Sequence, residues 1–497
     1  MEKVLVFLAA LFAVAALQCT EPGCGGCTDT SCGTNADCFF IANQVTCVCR
    51  IGFVGDPYKE CCNGSDCGCH GDPHCKTLDG TFYDYQGTCP YVYSTPCRQL
   101  NDDKHFVVKA MNKLFYPKSP VSYVSEIEVE MYDQILHVDE TLNFQVNGIA
   151  AYLPFYYPSR DDPLIVAELI GGQVHIRNSV YVTVIFSKQV LKMKVPHLEE
   201  YLGEEGLCGH AGNLNQDCSD DLVSIDGRVE IEKTCRYAVD KTGLARVAEI
   251  LDTWITDEFG GWDSSKGDCR TGKGLAPDLP TCDTSRSSKE CLPIKQALEG
   301  RGPFAQCKRL GKETITMAYE SCVFDGCFIK DSKCETFKNF AKTCQANLGR
   351  VDLSTWRTVT GCPMDCSTIL PFSTYSSCMS GCQPTCANQK LLERCNQPCF
   401  EGCQCKPGFV LDTSANPPKC VQPMACACID KLGNSHPPNY SWLSDNCTKK
   451  NVCIMGAIYT ESFTCMQHAH CGVEGGYMAC LCDCGFRKSP DKKRCIR

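Results

Sequence analysis

Residues 69–89 read CHGDPHCKTLDGTFYDYQGTC. Cysteines at 69, 75 and 89 enclose an acid-labile Asp72–Pro73 bond, a Thr77-Leu78-Asp79-Gly80 turn and the aromatic run Tyr83-Asp84-Tyr85. Downstream, no cysteine occurs between Cys97 and Cys208, so this part of the chain must hold itself by burying apolar surface. Its segments SEIEVEMY, QILHVDE, LNFQVNG, SVYVTVIF and QVLKMKV place apolar side chains at period two, with Gly, Asn, Asp and Pro between them. That pattern predicts short antiparallel strands facing one another as a sandwich or barrel.

The surroundings are of another kind. Forty-five cysteines in 497 residues form a disulfide framework rather than metal sites or catalytic thiols. The count is odd, which leaves a free thiol or a bridge to a second chain, and hence a disulfide-linked homodimer as one expected partner. The start, MEKVLVFLAALFAVAALQC, reads as a secretory signal over residues 1–18, and no other apolar run is long enough to span a bilayer. Sequons at Asn63, Asn439 and Asn446 suit a secreted glycoprotein. A net charge of −10 argues against nucleic acid or an anionic membrane as partner. From about 285 to 346 the apolar period lengthens to that of amphipathic helices, in CLPIKQALEG, ETITMAYESC and CETFKNFAKTC, which predicts a small helical module stapled by disulfides. The fold class is therefore multidomain and disulfide-rich, mainly β, with that helical module and cysteine-stapled satellites.

The spacing through Cys27, Cys32, Cys38, Cys47, Cys49 and Cys61, with Gly52-Phe53 after the fifth, resembles an EGF-like module over 19–62. Cys465, Cys471, Cys480, Cys482 and Cys495 repeat it within a cysteine-rich region at 427–497. Neither is preceded by the acidic pair of calcium-binding members, so both read as spacers or contact modules.

The opening stretch closely resembles the start of a von Willebrand factor type D domain. CGHAGNLNQDCSDDL at 208–222 resembles its end, and Trp254 sits where such domains place a late tryptophan. The resemblance assigns 67–268 to the D domain, 269–350 to an eight-cysteine domain and 362–426 to a trypsin-inhibitor-like domain. This order is that of the repeat in the zonadhesin, IgGFc-binding protein, alpha-tectorin and gel-forming mucin group. It implies a structural or adhesive role in mucus, matrix or egg-coat-type material, with extracellular or mucus glycoproteins as partners. With one repeat and no Ser/Thr/Pro-rich segment, the chain is expected to be an accessory or terminator of such assemblies rather than a gel.

The resemblance also implies one Ca²⁺, held by Asp79, Asn213, Asn215, Asp220 and Asp221, whose amide and carboxylate oxygens are the hard donors calcium takes. Gly71-Asp72-Pro73-His74 is similar to a sequence that cuts itself between Asp and Pro in some mucins and in the IgGFc-binding protein. There the Asp72 carboxylate would attack its own carbonyl while His74 protonates the departing Pro73. The family's CGxC element is Cys208-Gly209-His210-Ala211 here, so thiol exchange by that pair is not expected. Cys75 and Cys218 are additional, and a bridge between them is expected to tie the Asp79 turn to the Asn213 loop.

Other functions carry less. With Cys362 counted as the first cysteine of the inhibitor-like domain and Cys366 as an extra, the loop that inhibitory relatives offer to serine proteases is Asn396-Gln397-Pro398. Gln397 suits few specificity pockets, and Pro398 after the scissile bond resists attack. Cys24-Gly25-Gly26-Cys27 has redox spacing but stands at the entrance to an EGF-like module. His70, His74, His468 and His470 lie among cysteines already assigned to frameworks, so they read as structural rather than as a zinc site. No enzyme activity beyond self-cleavage is expected.

Overall fold

The computed structural model describes residues 32–497 apart from 42–43, 161, 239, 261–268, 276–283, 330–331, 350, 391–394, 416, 431–433, 445, 475–476 and 492. The segment read as a signal peptide, and Cys24 and Cys27, lie outside these residues.

The cysteine-poor part folds as two facing antiparallel sheets. One runs, in spatial order, Ile149–Ala150, Phe144–Val146, Gln134–Val138, Ser122–Met131, Val107–Leu114, Tyr91–Pro96 and Leu207–Cys208. The other runs Phe155–Tyr157, Ile165–Ile170, Gln173–Asn178, Thr183–Ser187, Val190–Pro196, Glu60–His70, His74–Lys76 and Phe82–Asp84. Alternation is clearest in Gln173–Asn178, where Val174, Ile176 and Asn178 turn inward. The inner faces meet in one core that includes Val108, Ile127, Val129, Ile176, Val184, Phe186, Leu191 and Met193. The Cys97–Cys208 bond closes the cysteine-free stretch as a loop of 111 residues.

No linker separates the N-terminal module from this sandwich. The strand Glu60–His70 pairs with Phe53–Asp56 at its start and with Val190–Pro196 and His74–Lys76 further on. The boundary drawn at 62–67 therefore falls inside one continuous strand.

The helical module forms as its 3.6-residue period predicts, with helices Lys312–Phe328 and Lys333–Leu348 around a core of Ile294, Phe304, Ile315, Phe337, Phe340 and Trp356. Disulfides Cys291–Cys322, Cys307–Cys344 and Cys334–Cys362 staple it.

Two module limits shift with the bonds. Cys269, expected to open the helical module, is tied to Cys89 and so belongs with the sandwich. Cys362, expected to open the inhibitor-like domain, closes the helical module through Cys334, while Cys366, expected to be an extra, bonds Cys403 within the domain that follows. That domain has almost no apolar core. Its short strands Ser373–Ser380 and Cys399–Cys405 are held by Cys366–Cys403, Cys378–Cys399, Cys382–Cys395, Cys386–Cys426 and Cys405–Cys420. At about 2 to 4 kcal/mol each, such bonds take over the work of a core. The C-terminal bonds Cys465–Cys480 and Cys482–Cys495 span 15 and 13 residues, close to the 15 and 12 of Cys32–Cys47 and Cys49–Cys61. Among the described residues no helix is long and apolar enough to cross a membrane.

Candidate functional site

Two polar clusters lie near one edge of the sandwich, and the opening stretch supplies residues to both. The first gathers the five oxygen donors expected to hold a metal. The Asp79 turn approaches the 213–221 loop, where Asp79 Oδ2 accepts from the Asn215 backbone N–H at 2.7 Å. Asn215 donates through Nδ2 to Asp220 Oδ1 at 3.0 Å, and Asp221 Oδ2 accepts from the Thr77 hydroxyl at 2.6 Å. Asn213 Oδ1 and Asp221 Oδ1 are buried with no hydrogen-bond partner. Gly212, at φ +88°, leaves the room, since a Cβ there would meet Asp221 Oδ1 at 2.3 Å. Burial pushes the Asp221 carboxyl up to about 7 and raises Asp79, with the charge of Asp79 adding to the first and that of Asp220 to the second. Orphaned buried oxygens beside carboxylates are a donor set that fits a hard dication such as calcium.

The expected Cys75–Cys218 bridge beside this cluster does not form. Cys75 sits directly across the hairpin from Cys69 and bonds to it, while Cys218 bonds Cys235. Cross-strand register brings Cys69 and Cys75 to a Cα separation of 4.1 Å, and that proximity decides the pairing.

The second cluster is built on the tip of that hairpin. Gly71, at φ +65°, turns the chain, and Asp72 and His74 point into the protein with 0% and 5% exposure. His74 Nδ1 hydrogen-bonds Asp84 Oδ1 at 3.0 Å, and Nε2 hydrogen-bonds Asp325 Oδ1 at 3.1 Å. Asp325 comes from the helix Lys312–Phe328 of the neighbouring module, and its Oδ2 lies close enough that a Cβ on Gly71 would sit 3.0 Å away. The Asp72 carbonyl accepts from Gln86 Nε2 at 2.8 Å, and the Gln86 amide is oriented by the Ser122 N–H, which donates to Oε1 at 2.7 Å. Burial, reinforced by the Asp325 charge, holds the Asp72 carboxyl well above the usual carboxylate range. For His74 burial works against the charged form, but the charges of Asp84 and Asp72 outweigh it and raise the imidazole. Burial alone would raise Asp325; the His74 hydrogen bond and charge bring it below its ordinary value.

The sequence had no way to bring Asp325 here, although a lone acid inside the apolar run SCVFDGC was a signal. Asp84 and Gln86 stood in the quoted stretch without an assigned role.

The other expected residues are scattered. In the Asn396-Gln397-Pro398 loop, Pro398 is buried and Asn396 and Gln397 are half-buried beside the helical module and the sandwich. Asn63, Asn439 and Asn446 are all exposed. His470 pairs with Asp483, and His468 stacks on Phe486, far in sequence from His70 and His74. Trp254 is buried and donates to the Val223 carbonyl at 2.7 Å. Three free cysteines stand among the described residues: Cys62 and Cys484 exposed, Cys67 buried.

The disulfide ladder marks an extracellular, disulfide-stapled multidomain protein, and its central sandwich is a von Willebrand factor type D domain. Family models match at 67–228 (von Willebrand factor type D domain), 291–363 (C8 domain), 366–426 (trypsin inhibitor like cysteine rich domain) and 427–481 (TILa domain). The last falls on the region that cysteine spacing likened to a second EGF-like module. Curated relatives are human alpha-tectorin, 28% identical over 91% of this chain and 20% of its own length, and human zonadhesin, 28% identical over 83% and 14%. Human IgGFc-binding protein is 26% identical over 93% of this chain and 8% of its own length. The chain thus spans a fifth or less of each of these relatives.

Proposed function

We propose that the chain is a non-enzymatic structural or adhesive unit of an extracellular assembly, in which a calcium-stabilised D domain and its satellites present one fixed surface to extracellular or mucus glycoproteins. The observation that carries this reading is the set of buried polar contacts between modules. Asp325 reaches His74, and Glu401 of the inhibitor-like domain is gripped by Arg357 Nη2 at 2.7 Å and by the Trp356 indole N–H at 2.8 Å. Modules joined in this way keep one orientation, as a scaffold requires and a flexible tether does not. The half-buried Gln397 and buried Pro398 favour the same role for the inhibitor-like domain over protease inhibition, which needs an exposed loop. The flanking modules with the repeated disulfide ladder are read as EGF-like spacers, and Asn63, Asn439 and Asn446 as glycan sites. On a panel of immobilised extracellular glycoproteins, the chain should be retained in calcium and lost on chelation. Equal retention with and without calcium, or none at all, contradicts the proposal.

A second reading, self-cleavage at Asp72–Pro73, is favoured by the Gln86 amide on the Asp72 carbonyl with His74 Nε2 2.6 Å from Asp72 Oδ1. The Asp72 carboxylate would form a cyclic anhydride with its own carbonyl carbon, the C–N bond to Pro73 would break, and His74 would protonate the leaving nitrogen. Water would then open the anhydride. Because Cys69–Cys75 encloses the bond, the halves would stay together until reduced. Mass measurement of the secreted protein with and without reductant reads this directly. It also reads dimerisation through Cys62 or Cys484, as a doubled non-reduced mass.

A further inference from the structure

The His74 cluster gathers three buried carboxyl groups around one imidazole. Asp72, Asp84 and Asp325 are exposed by 0, 6 and 3%, and His74 by 5%. One ligand atom each of Asp72, His74 and Asp325 falls within 4.8 Å of the others. His74 Nε2 is only 2.6 Å from Asp72 Oδ1, yet that oxygen makes no aligned hydrogen bond, and Asp72 Oδ2 and Asp84 Oδ2 are also buried without a partner. One oxygen each of Asp72 and Asp325 faces the same His74 Nε2, at 2.6 and 3.1 Å. Two buried carboxyl groups face one imidazole nitrogen and a third faces the other, a crowding of acidic oxygens that a bound cation would relieve.

We propose that Asp72, His74 and Asp325 form a binding site for a small divalent transition metal, zinc in the first instance, that bridges the D domain and the helical module. Nε2 and one oxygen from each of Asp72 and Asp325 supply three ligands. Asp84 Oδ1, bonded to His74 Nδ1 at 3.0 Å, is the orienting carboxylate that holds the Nδ1–H tautomer once a metal displaces the Nε2 proton now bonded to Asp325. A cavity of about 490 Å³ lined by His70, Gly71, His74, Ser321, Asp325 and Thr336 gives access and room for a water as fourth ligand. The mixed imidazole and carboxylate set, with no thiolate, suits zinc or cobalt better than the all-oxygen shell calcium takes. With the metal in place, the Asp72 carboxylate and the His74 nitrogen are both occupied, so the ion also blocks self-cleavage wherever that chemistry operates.

The test uses the full chain, stripped of metal, with calcium in excess to fill the Asp221 cluster. Zinc added alone should bind one equivalent more tightly in the parent than in Asp325→Asn, by at least tenfold, while Asp221→Asn keeps the parental affinity. Asp325→Asn preserves shape, and its apo melting temperature checks that it folds. As a measurement independent of any variant, zinc-edge absorption on the parent should give one imidazole with oxygen donors. Equal zinc uptake by parent and Asp325→Asn, or a shell containing sulfur, overturns the site. Neither outcome depends on whether Asp72–Pro73 is ever cut.

Discussion

At the scale of single residues, the D domain replaces expected chemistry with packing. His210 occupies the CGxC element, where its ring stacks on Tyr91 at 4.1 Å and Nε2–H donates to the Leu251 carbonyl at 3.0 Å. Burial lowers its pKa from 6.5 to about 3. The unfolded chain therefore takes up a proton before the folded one does, and stability is lost as pH falls from about 6.5 towards 3. The loss from this group should reach roughly 2 kcal/mol by pH 5, and His210→Phe should flatten that part of the denaturant-midpoint profile against pH. Cys67 behaves similarly, since burial pushes its thiol up to about 12. Alkylation of the native monomer should label Cys62 and Cys484 and spare Cys67 until the chain is unfolded; labelling of Cys67 at a comparable rate would contradict the buried placement. An odd cysteine count announced a leftover thiol. It could not say which, because a free cysteine and a bonded one look alike until register puts sulfurs side by side, as it does for Cys69 and Cys75.

At the scale of elements, the periodic segments were the legible ones. QVLKMKV and ETITMAYESC show their strand and helix in the spacing of apolar residues; the first, from its second residue on, lies in Val190–Pro196 and the second in Lys312–Phe328. The joints between elements were not legible, because they depend on single polar residues meeting across long separations. Glu401 is the clearest case. It is 2% exposed, with its carboxylate shared by Arg357, Trp356 and Tyr375, whose hydroxyl donates at 3.1 Å. Removing it by Glu401→Ala strands a buried guanidinium, which should cost about 3 to 5 kcal/mol in denaturant unfolding and expose Trp356 to fluorescence quenchers. A cost under about 1 kcal/mol would mean that the joint is open to solvent. Likewise, the five oxygen donors of the Asp79–Asp221 cluster came from the resemblance to the D domain rather than from the pattern of residues, and Asp325, in another module, was reached by neither.

At the scale of the whole molecule, the chain holds its D domain, C8 domain and inhibitor-like domain against one another by buried and half-buried hydrogen bonds and ion pairs. Lys342 of the C8 helix donates to the Gly171 carbonyl at 3.2 Å, and Thr413 of the inhibitor-like domain donates to the Leu153 carbonyl. Such joints couple the modules thermodynamically, and a calcium ion on the Asp221 cluster would stabilise all three through one of them. Scanning calorimetry of the intact chain, in calcium and after chelation, tests this most directly. The three modules should melt in one transition whose midpoint falls by several degrees when calcium is removed. Separate transitions for the modules, with none of them moved by chelation, would contradict it.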